Sequence, residues 1–462
     1  MYNHHSTTYN SMLEIPPIDV GPTNNLHAVR CFLYPIYASA NKRPLLTLTS
    51  RNQMGILQFH LRREKDQEIA PEYSYSLSSE QSLPSVSSLT SKQQLSITGK
   101  YHYITTFKAH TSSISSLTLA GKNLFSGSSD NQIRVWSRDP SPIVQNLMAY
   151  GESAVKSMVV CGDKLFTGHQ DNKIYVWKLE NDVADDDNPK LTKSTYVTTL
   201  PTLNDRVTKM FLAKNYVKIR RHKRSTWVHH VDAVSAMALS RDGSLLYSAS
   251  WDRTFKVWRT SDFKCLESVW NAHDDAINAI VVSTDGYVYT GSADRKIKVW
   301  RKPAGEKKHT LVDTLEKHKS AVNALALSPD GSVLYSGACD RSIIVWEKGI
   351  SGESDGDERR HMVVAGALRG HIAAVLCITV AGDLVVSGSA DKTVRIWRRG
   401  IDGKKYSRVC VLEGHNGPIK CLAAALESCS CSDADDSGSS YLIYSGSLDC
   451  DVKVWRVWVP FL

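Results

Sequence analysis

The segment GSADRKIKVW, residues 291–300, decides the fold because the chain carries seven versions of it. All seven share a small first residue, an aspartate at the fourth position and a closing tryptophan. The other six are GSSDNQIRVW (127–136), GHQDNKIYVW (168–177), ASWDRTFKVW (249–258), GACDRSIIVW (337–346), GSADKTVRIW (388–397) and GSLDCDVKVW (446–455). The apolar residues before each tryptophan alternate as they do in a strand with one buried face.

Each segment closes a longer repeat that begins with a histidine in six of the seven copies. Four residues after the histidine comes isoleucine or valine, which opens an apolar strand, and a turn and a second strand lead to the aspartate. The histidines are His110, His230, His273, His318, His371 and His415. Because most closing tryptophans lie 41 to 58 residues apart and the repeat holds strands alone, the pattern predicts an all-β propeller.

These residues resemble the WD40 repeat family over about 360 residues, 101–462. The resemblance implies a buried hydrogen-bonded chain in each blade, formed by the histidine, a serine or threonine, the aspartate and the tryptophan. Three such sets are His110, Ser126, Asp130, Trp136; His273, Thr290, Asp294, Trp300; and His318, Ser336, Asp340, Trp346. We therefore assign the repeated histidines and aspartates to the frame of the protein, not to a metal or catalytic site. The second copy has Gly151 where the histidine is expected, and we expect its blade to be the loosest.

The gap between Trp177 and Trp258 is 81 residues, nearly double the usual spacing. An eighth blade is one explanation, because TYVTTLPTLNDRV aligns with HTLVDTLEKHKSAV. An insertion at about 180–224 is the other, and strand parity favours it. Residues 225–229 then supply the normal fourth strand, residues 216–220 pair with 225–228, and a helix with a cap at Asn204 presents Leu203, Val207, Met210 and Phe211 on one face. We predict seven blades, with eight as the alternative.

The two ends of the repeat region are expected to meet. The last repeat stops at Trp455 and lacks an outer strand, which YHYITTF at residues 101–107 can supply. Such pairing removes exposed sheet edges from the ring.

Residues 1–100 carry no repeat, and serine is dense between Ser74 and Ser96. We expect this region to be largely disordered, either as a phosphorylation target or as a solubilising tail. The chain thus divides into an N-terminal region, 1–100, and a propeller, 101–462. We expect no secretory leader in MYNHHSTTYN and no membrane-spanning helix.

A closer resemblance comes from the region around the long gap. TLPTLNDRV (199–207), KNYVKIRRHKRSTWVHHVDAV (214–234) and NAHDDAINAI (271–280) are similar to the plant WD-repeat proteins called JINGUBANG-like. This resemblance implies a regulatory interaction protein of plant cells without enzymatic activity.

The candidate partner-binding residues follow from the repeat grammar of WD40 proteins. The residue before each turn aspartate lies on the top face of the propeller, and among these Trp251 suits a binding anchor. Packing under the neighbouring insertion is the alternative role for Trp251. Residues just after the histidines reach the same face, and they are Asp274, Asp275, Lys319, Ile372 and Asn416. This mixture of apolar and charged side chains suits a peptide segment.

The run KIRRHKR contributes Lys218, Arg220, Arg221, Lys223 and Arg224. It fits a nuclear-import patch, a site for an acidic partner or a phosphate contact, and a solvated hairpin turn is the alternative.

Several function classes are excluded or disfavoured. The chain has no phosphate-binding loop and no CxxC pair among its ten cysteines, so we expect no enzyme, no cofactor and no metal. A net charge of +9 is modest for 462 residues, and we expect protein or peptide partners rather than nucleic acid. We expect a monomeric, intracellular scaffold, cytoplasmic or nuclear. The alternatives are a substrate receptor of a cullin-type ubiquitin ligase and a nucleic-acid-associated regulator that acts through residues 218–224.

Overall fold

The fold is a closed ring of seven β-sheets, seen here in a computed structural model. The structure describes residues 86–90, 99–138, 145–180, 193–211, 216–220, 223–349, 362–427 and 438–460. Over these residues the chain forms seven four-stranded antiparallel sheets, one two-stranded hairpin and one helix. The prediction of a seven-bladed all-β propeller is confirmed, and the eight-blade alternative is wrong.

The sheets are called blades 1 to 7 in chain order, and the strands of each blade are hydrogen-bonded in sequence order. Blade 1 consists of Ile114–Ala120, Asn123–Ser128, Gln132–Ser137 and Gln145–Tyr150. Blade 2 consists of Val155–Cys161, Lys164–His169, Ile174–Glu180 and Lys193–Leu200. Blade 3 consists of Val234–Leu239, Leu245–Ser250, Phe255–Arg259 and Cys265–Val269. Blade 4 consists of Ile277–Val282, Val288–Ser292, Ile297–Arg301 and Thr310–Leu315.

The last three blades follow the same plan. Blade 5 consists of Val322–Leu327, Val333–Ala338, Ile343–Lys348 and Met362–Leu368. Blade 6 consists of Val375–Ala381, Leu384–Ser389, Val394–Arg399 and Tyr406–Leu412. Blade 7 consists of Ile419–Leu426, Gly438–Ser447 and Val452–Pro460, and its fourth strand is Lys100–Phe107 from the start of the repeat region.

The first strands of neighbouring blades pack against each other all the way around the ring. In every blade the register between the first two strands shifts after the first residue, which leaves a bulged second residue. Four of these bulged residues bond to the next blade: Ser115 donates to the Val155 carbonyl, Ser235 to Ile277 at 2.5 Å, Asn278 to Val322 at 3.0 Å and Asn323 to Val375 at 2.9 Å. The bulge thus ties neighbouring blades together at the centre of the ring.

The ring closes by pairing its two ends, as the sequence predicts. Lys100–Phe107 runs antiparallel to Val452–Pro460, with Tyr103 opposite Trp455 and Phe107 opposite Val452. Phe107 is buried and stacks on Trp136 of blade 1, with ring centroids 4.6 Å apart. The N-terminal strand therefore completes blade 7 and also contributes to the core shared with blade 1.

The sequence prediction for the fourth strand of blade 2 is wrong. Lys193–Leu200 takes this place, not residues 225–229, and it pairs with Ile174–Glu180 so that Trp177 faces Tyr196. The similarity of TYVTTL to TLVDTL, weighed as a sign of an eighth blade, marks the corresponding fourth strand, Thr310–Leu315, in blade 4. The extra chain between blades 2 and 3 accordingly begins at Pro201, and the part of the predicted insertion from 193 to 200 belongs to blade 2.

The extra chain forms one helix and one hairpin. The helix spans Leu203–Met210, and its N-cap is Thr202, whose hydroxyl accepts a hydrogen bond from the Asp205 amide at 3.2 Å. The helix itself was predicted, but the cap at Asn204 was not correct, because Asn204 already lies inside the first turn. Tyr216–Arg220 forms a hairpin as predicted, but its partner strand is Lys223–Thr226 and not residues 225–228.

A short segment of the N-terminal region lies on the propeller. We call residues 86–90 the strap; it crosses from the fourth strand of blade 5 to the fourth strand of blade 6. Val86 is buried and Leu89 packs against the core cluster of these blades. The expectation of disorder over 1–100 therefore does not hold for the strap. For residues 1–85 and 91–98 it concerns positions outside the described part of the chain, and the division at residue 101 stays a prediction.

Candidate functional site

One face of the ring collects the histidines and the turn aspartates of the repeats. The first strand of a blade begins where its second strand ends, as Val234 opposite Ser250 illustrates. The histidine that precedes the first strand and the aspartate that follows the second therefore meet at the same edge. We call this edge of the ring the top face.

Six blades carry the four-residue network at this face. In blade 4, Trp300 Nε1 donates to the Thr290 hydroxyl at 2.9 Å, Thr290 donates to His273 Nε2 at 2.7 Å, and His273 Nδ1 donates to Asp294 at 2.8 Å. The His110, Ser126, Asp130 and Trp136 set and the His318, Ser336, Asp340 and Trp346 set have the same arrangement. The network satisfies every polar atom that these side chains bury beneath the top face.

The carboxylates of the network are held in their charged form. Burial raises the pKa of Asp130, but amide donors at Gln132 and Thr111 and the neighbouring His110 bring it below its ordinary value. Burial lowers the pKa of His110 more strongly than Asp130 raises it. At neutral pH the pair in blade 1 thus consists of a neutral imidazole and an ionised aspartate.

The network also fixes the backbone of the predicted partner-binding residues. The amide after each histidine donates to the same aspartate oxygen: Lys319 to Asp340 at 3.0 Å, for example, and Ile372 to Asp391 at 3.1 Å. Their side chains are exposed, and Ile372 keeps 76% of its surface. The same holds for Asp274, whose amide donates to Asp294, and for Asn416, whose amide donates to Asp449; Asp275 is exposed beside Asp274.

Blade 2 builds its network from a different position. Gly151 leaves open the space of the missing histidine, and the imidazole of His169 fills it from the second strand. His169 Nδ1 donates to the Ser153 carbonyl at 2.8 Å, and its Nε2 accepts from Thr167, which in turn accepts from Trp177 at 3.0 Å. Because burial dominates and the Nδ1 partner is a neutral carbonyl, the pKa of His169 falls to about 4. The sequence contained the signal: a glycine at the histidine position and a histidine two residues before Asp171.

Trp251 is half-buried at the top face and contacts a lysine of the neighbouring blade. The Lys156 ammonium lies 5.8 Å from the centroid of the indole ring. Lys156 and Lys420 are the bulged residues of blades 2 and 7, the two blades that flank blade 1. Burial lowers the pKa of both lysines, and the charge of Lys420 helps to bring that of Lys156 to about 8. This part of the top face therefore combines an aromatic ring with the Lys156 amine, whose pKa also responds to the charge of Lys420.

The helix between blades 2 and 3 is attached by its polar side. Asp205, its buried residue, accepts a hydrogen bond from the Cys265 amide of blade 3 at 2.9 Å. The apolar side faces solvent, where Leu203, Val207, Met210 and Phe211 keep between 50% and 76% of their surface. Past the hairpin, the chain is fixed where the buried Lys256 donates to the Trp227 carbonyl at 2.6 Å.

The basic run lies on the hairpin. In the register of the two strands Lys218 pairs with Arg224 and Arg220 pairs with Lys223. Arg221, the fifth residue of the predicted cluster, lies outside the described residues.

The opposite face of the ring holds a cleft between blades 5 and 6. Its volume is about 680 Å³, and Asp330, Tyr335, Asp383, Arg398 and Arg399 are among its lining residues. Asp383 is paired with Arg398 at 2.5 Å, and Tyr335 shares a hydrogen bond with Tyr406. Within the described ranges no group of three or more histidine, cysteine, aspartate or glutamate side chains is arranged to hold a metal ion.

Most of these repeats match a known protein family. The model of the WD domain, G-beta repeat matches residues 101–137, 221–259, 263–301, 309–347, 363–398 and 406–456. Blade 2, with its displaced histidine, lies wholly between two matched segments and is not matched itself.

Part of the chain is similar in sequence to several proteins with different names. The chain is 30% identical over 186 residues to Protein ROOT INITIATION DEFECTIVE 3 of Arabidopsis thaliana, which is 37% of this chain and 40% of that protein. It is 30% identical over 174 residues to Small ribosomal subunit protein RACK1 of Drosophila melanogaster, 37% of this chain and 52% of that protein. Autophagy-related protein 16 of Arabidopsis thaliana is 28% identical over 208 residues, 43% of this chain and 37% of that protein. The matches thus span about half or less of these relatives.

The fold has a counterpart among solved structures. The WD40 β-propeller domain of Doa1 superimposes with a TM-score of 0.53 over 77% of this chain and 97% of that domain, at 20% identity. At this identity the likeness concerns the fold alone.

Proposed function

Because the chain belongs to the WD domain, G-beta repeat family, we propose that it is a non-catalytic scaffold that binds protein partners in a regulatory or signalling assembly of plant cells. The similarity of residues 199–234 and 271–280 to JINGUBANG-like proteins supports the plant setting. The repeated histidines and aspartates form hydrogen bonds with each other within the frame, and this supports a protein without catalytic activity.

The observation that carries the proposal is the placement of Trp251 beside Lys156, whose amine is electrostatically coupled to that of Lys420. An indole supplies a large rigid contact area, and ammonium groups at the same place favour a carboxylate or phosphate. Exposed side chains that the blade networks hold in place, Lys319 and Ile372 among them, extend this surface along the top face. We propose that the partner is an acidic peptide segment with an apolar anchor residue.

The test is affinity purification from plant cells followed by mass spectrometry. Wild type is compared with Trp251→Ala and with Ser129→Ala, a matched control at the equivalent position of blade 1. We expect at least one set of partners to be lost with Trp251→Ala and kept with Ser129→Ala, while thermal unfolding confirms that both variants fold. Identical partner sets in all three samples would contradict a binding role for Trp251.

The charge of the partner is tested separately. Lys156→Gln and Lys420→Gln should weaken binding of a purified partner and reduce its dependence on salt, because fewer ion contacts are then formed. Unchanged affinity and unchanged salt dependence would rule out the two amines as the anionic contact.

The basic residues that the hairpin register pairs, Lys218 with Arg224 and Arg220 with Lys223, favour a second candidate, contact of the hairpin with an anionic partner. A variant with Lys218→Ser and Arg224→Ser, which removes one opposed pair, should lose that partner and keep those that depend on Trp251. A nucleic-acid partner would be recognised by a steep fall of affinity with salt, and an acidic protein by its capture in the purification. Loss of neither type of partner would contradict this candidate.

We further propose an intracellular, monomeric protein in the cytoplasm or nucleus. The cysteines in the described part of the chain are all free thiols, which supports a reducing compartment. No helix among the described residues is long and apolar enough to cross a bilayer.

A further inference from the structure

The strap occupies a groove between the outer edges of blades 5 and 6. The Leu89 amide donates to the Ala367 carbonyl at 3.0 Å, and the Ala367 amide donates to the Ser87 carbonyl at 2.9 Å. The Tyr406 amide of blade 6 then donates to the Leu89 carbonyl at 3.4 Å. Through these backbone bonds, which any extended segment can form, the strap joins two neighbouring blades.

Side chains at the first and fourth positions of the strap provide the apolar contacts. Val86 keeps only 5% of its surface, while Ser87 and Ser88 between the two apolar residues are exposed. Leu89 rests on Gly366, where an added Cβ would come within 2.5 Å of the leucine side chain. The groove thus accepts two aliphatic residues three positions apart, with small polar residues between them.

A further contact fixes the start of the segment. The Arg369 guanidinium donates to the Val86 carbonyl at 2.6 Å. Because this bond and those to Ala367 go to main-chain atoms, the groove recognises an extended backbone first and two side chains second. This is the pattern by which sheet edges bind partner segments through added strands.

We propose that this groove is a binding site for an extended partner segment with aliphatic residues at its first and fourth positions, and that the strap occupies it in cis. A partner that carries such a segment displaces residues 86–90. Displacement then frees residues 86–90 from the edges of blades 5 and 6. The groove lies on blades 5 and 6 and shares no residue with the site proposed around Trp251, so either proposal can fail without the other.

The strap competes well only because it is tethered. Eight residues, 91–98, separate it from Gly99 and the first strand of the ring. A linker of this length holds a segment at an effective concentration on the order of 1 mM. If the strap segment itself binds the emptied groove with a Kd of about 100 µM, a competing peptide binds the intact protein about tenfold more weakly than it binds a protein whose groove is empty.

The experiment uses the full chain and a fluorescein-labelled peptide of residues 84–92, PSVSSLTSK. Binding is followed by fluorescence anisotropy with wild type and with the double variant Val86→Asp, Leu89→Asp, whose strap no longer fits the groove. We expect the double variant to bind the peptide at least about tenfold more tightly than wild type. Equal affinity for the two proteins, or no binding to either, overturns the proposal.

Two controls assign the binding to the groove. A peptide with aspartate in place of Leu89 should not bind the double variant, and this control leaves the protein unchanged. Gly366→Ala added to the double variant should abolish binding of the unmodified peptide, because the new methyl group occupies the place of the leucine. Binding of the altered peptide as tightly as the original would show that the groove does not select the fourth position, and would refute the proposal.

Discussion

His169 should make the stability of the propeller depend on pH in a way that one substitution removes. Burial lowers the pKa of His169 to about 4 from its ordinary value of 6.5. The unfolded chain therefore binds a proton at a higher pH than the folded chain, and the free energy of unfolding falls as the pH drops from 6.5 towards 4. Between pH 7.5 and pH 5 this single group should cost about 2 kcal/mol.

The assay is urea-induced unfolding, followed by tryptophan fluorescence, of wild type and His169→Gln at both pH values. At pH 7.5 the variant should be less stable by about 1–3 kcal/mol, because Thr167 and the Ser153 carbonyl lose their partner. At pH 5 the gap should narrow by about 2 kcal/mol, because only wild type has to keep the imidazole neutral.

Substitution of the exposed His102 by glutamine is the matched control and should leave the pH dependence as in wild type. A difference between wild type and His169→Gln that is the same at both pH values would refute the reasoning. It would mean that the imidazole of His169 is not held neutral by its surroundings.

Two further predictions concern the frame. Ser336→Ala leaves the imidazole of His318 and the indole of Trp346 without their shared hydroxyl. It should lower the free energy of unfolding by about 1–3 kcal/mol for each unpaired group, whereas Ser336→Thr should retain most of the stability. Equal stability of the two variants in urea-induced unfolding would contradict this. Deletion of residues 100–107 removes the fourth strand of blade 7 and should lower the melting temperature far more than deletion of residues 1–85, which keeps the strap and the whole ring. Similar melting temperatures for the two truncations in a calorimetric scan would disprove the closure argument.

Most of the frame could be predicted from the sequence because each blade repeats the same pattern of apolar strands and polar turn residues. Alternating apolar residues specify the strands, and each turn aspartate marks the edge where a second strand ends. The number of blades and the closure by Lys100–Phe107 follow from counting these elements and pairing the leftover edge. The same counting failed for blade 2, because two segments competed for its outer edge. Lys193–Leu200 takes that edge directly after its blade, and the segment that resembles the normal lead-in, 225–229, comes later.

The sites were harder to predict because they depend on residues that break the repeat. Gly151 indicated a weakened blade when the repeat pattern was considered alone, yet His169 supplies the imidazole from an adjacent strand. The strap was hidden in a serine-rich stretch whose composition is typical of disorder. Two aliphatic residues, Val86 and Leu89, are too few to stand out in the sequence, and their binding depends on a groove that exists only once two blades are packed together.

The network explains why function can vary on this fold without loss of the frame. Asp340 holds the histidine of its blade through one hydrogen bond and the amide of Lys319 through another, so the backbone at residue 319 is fixed whatever side chain it carries. Blade 2 is the exception: Glu152, one residue after Gly151, accepts hydrogen bonds from Lys173 and Tyr175. The Glu152 side chain is thus directed by contacts within its own blade, four residues before Lys156 in the sequence. The blade that departs from the repeat is therefore also one that supplies an amine to the proposed site, and we expect changes in partner choice to arise there before they arise at the regular blades.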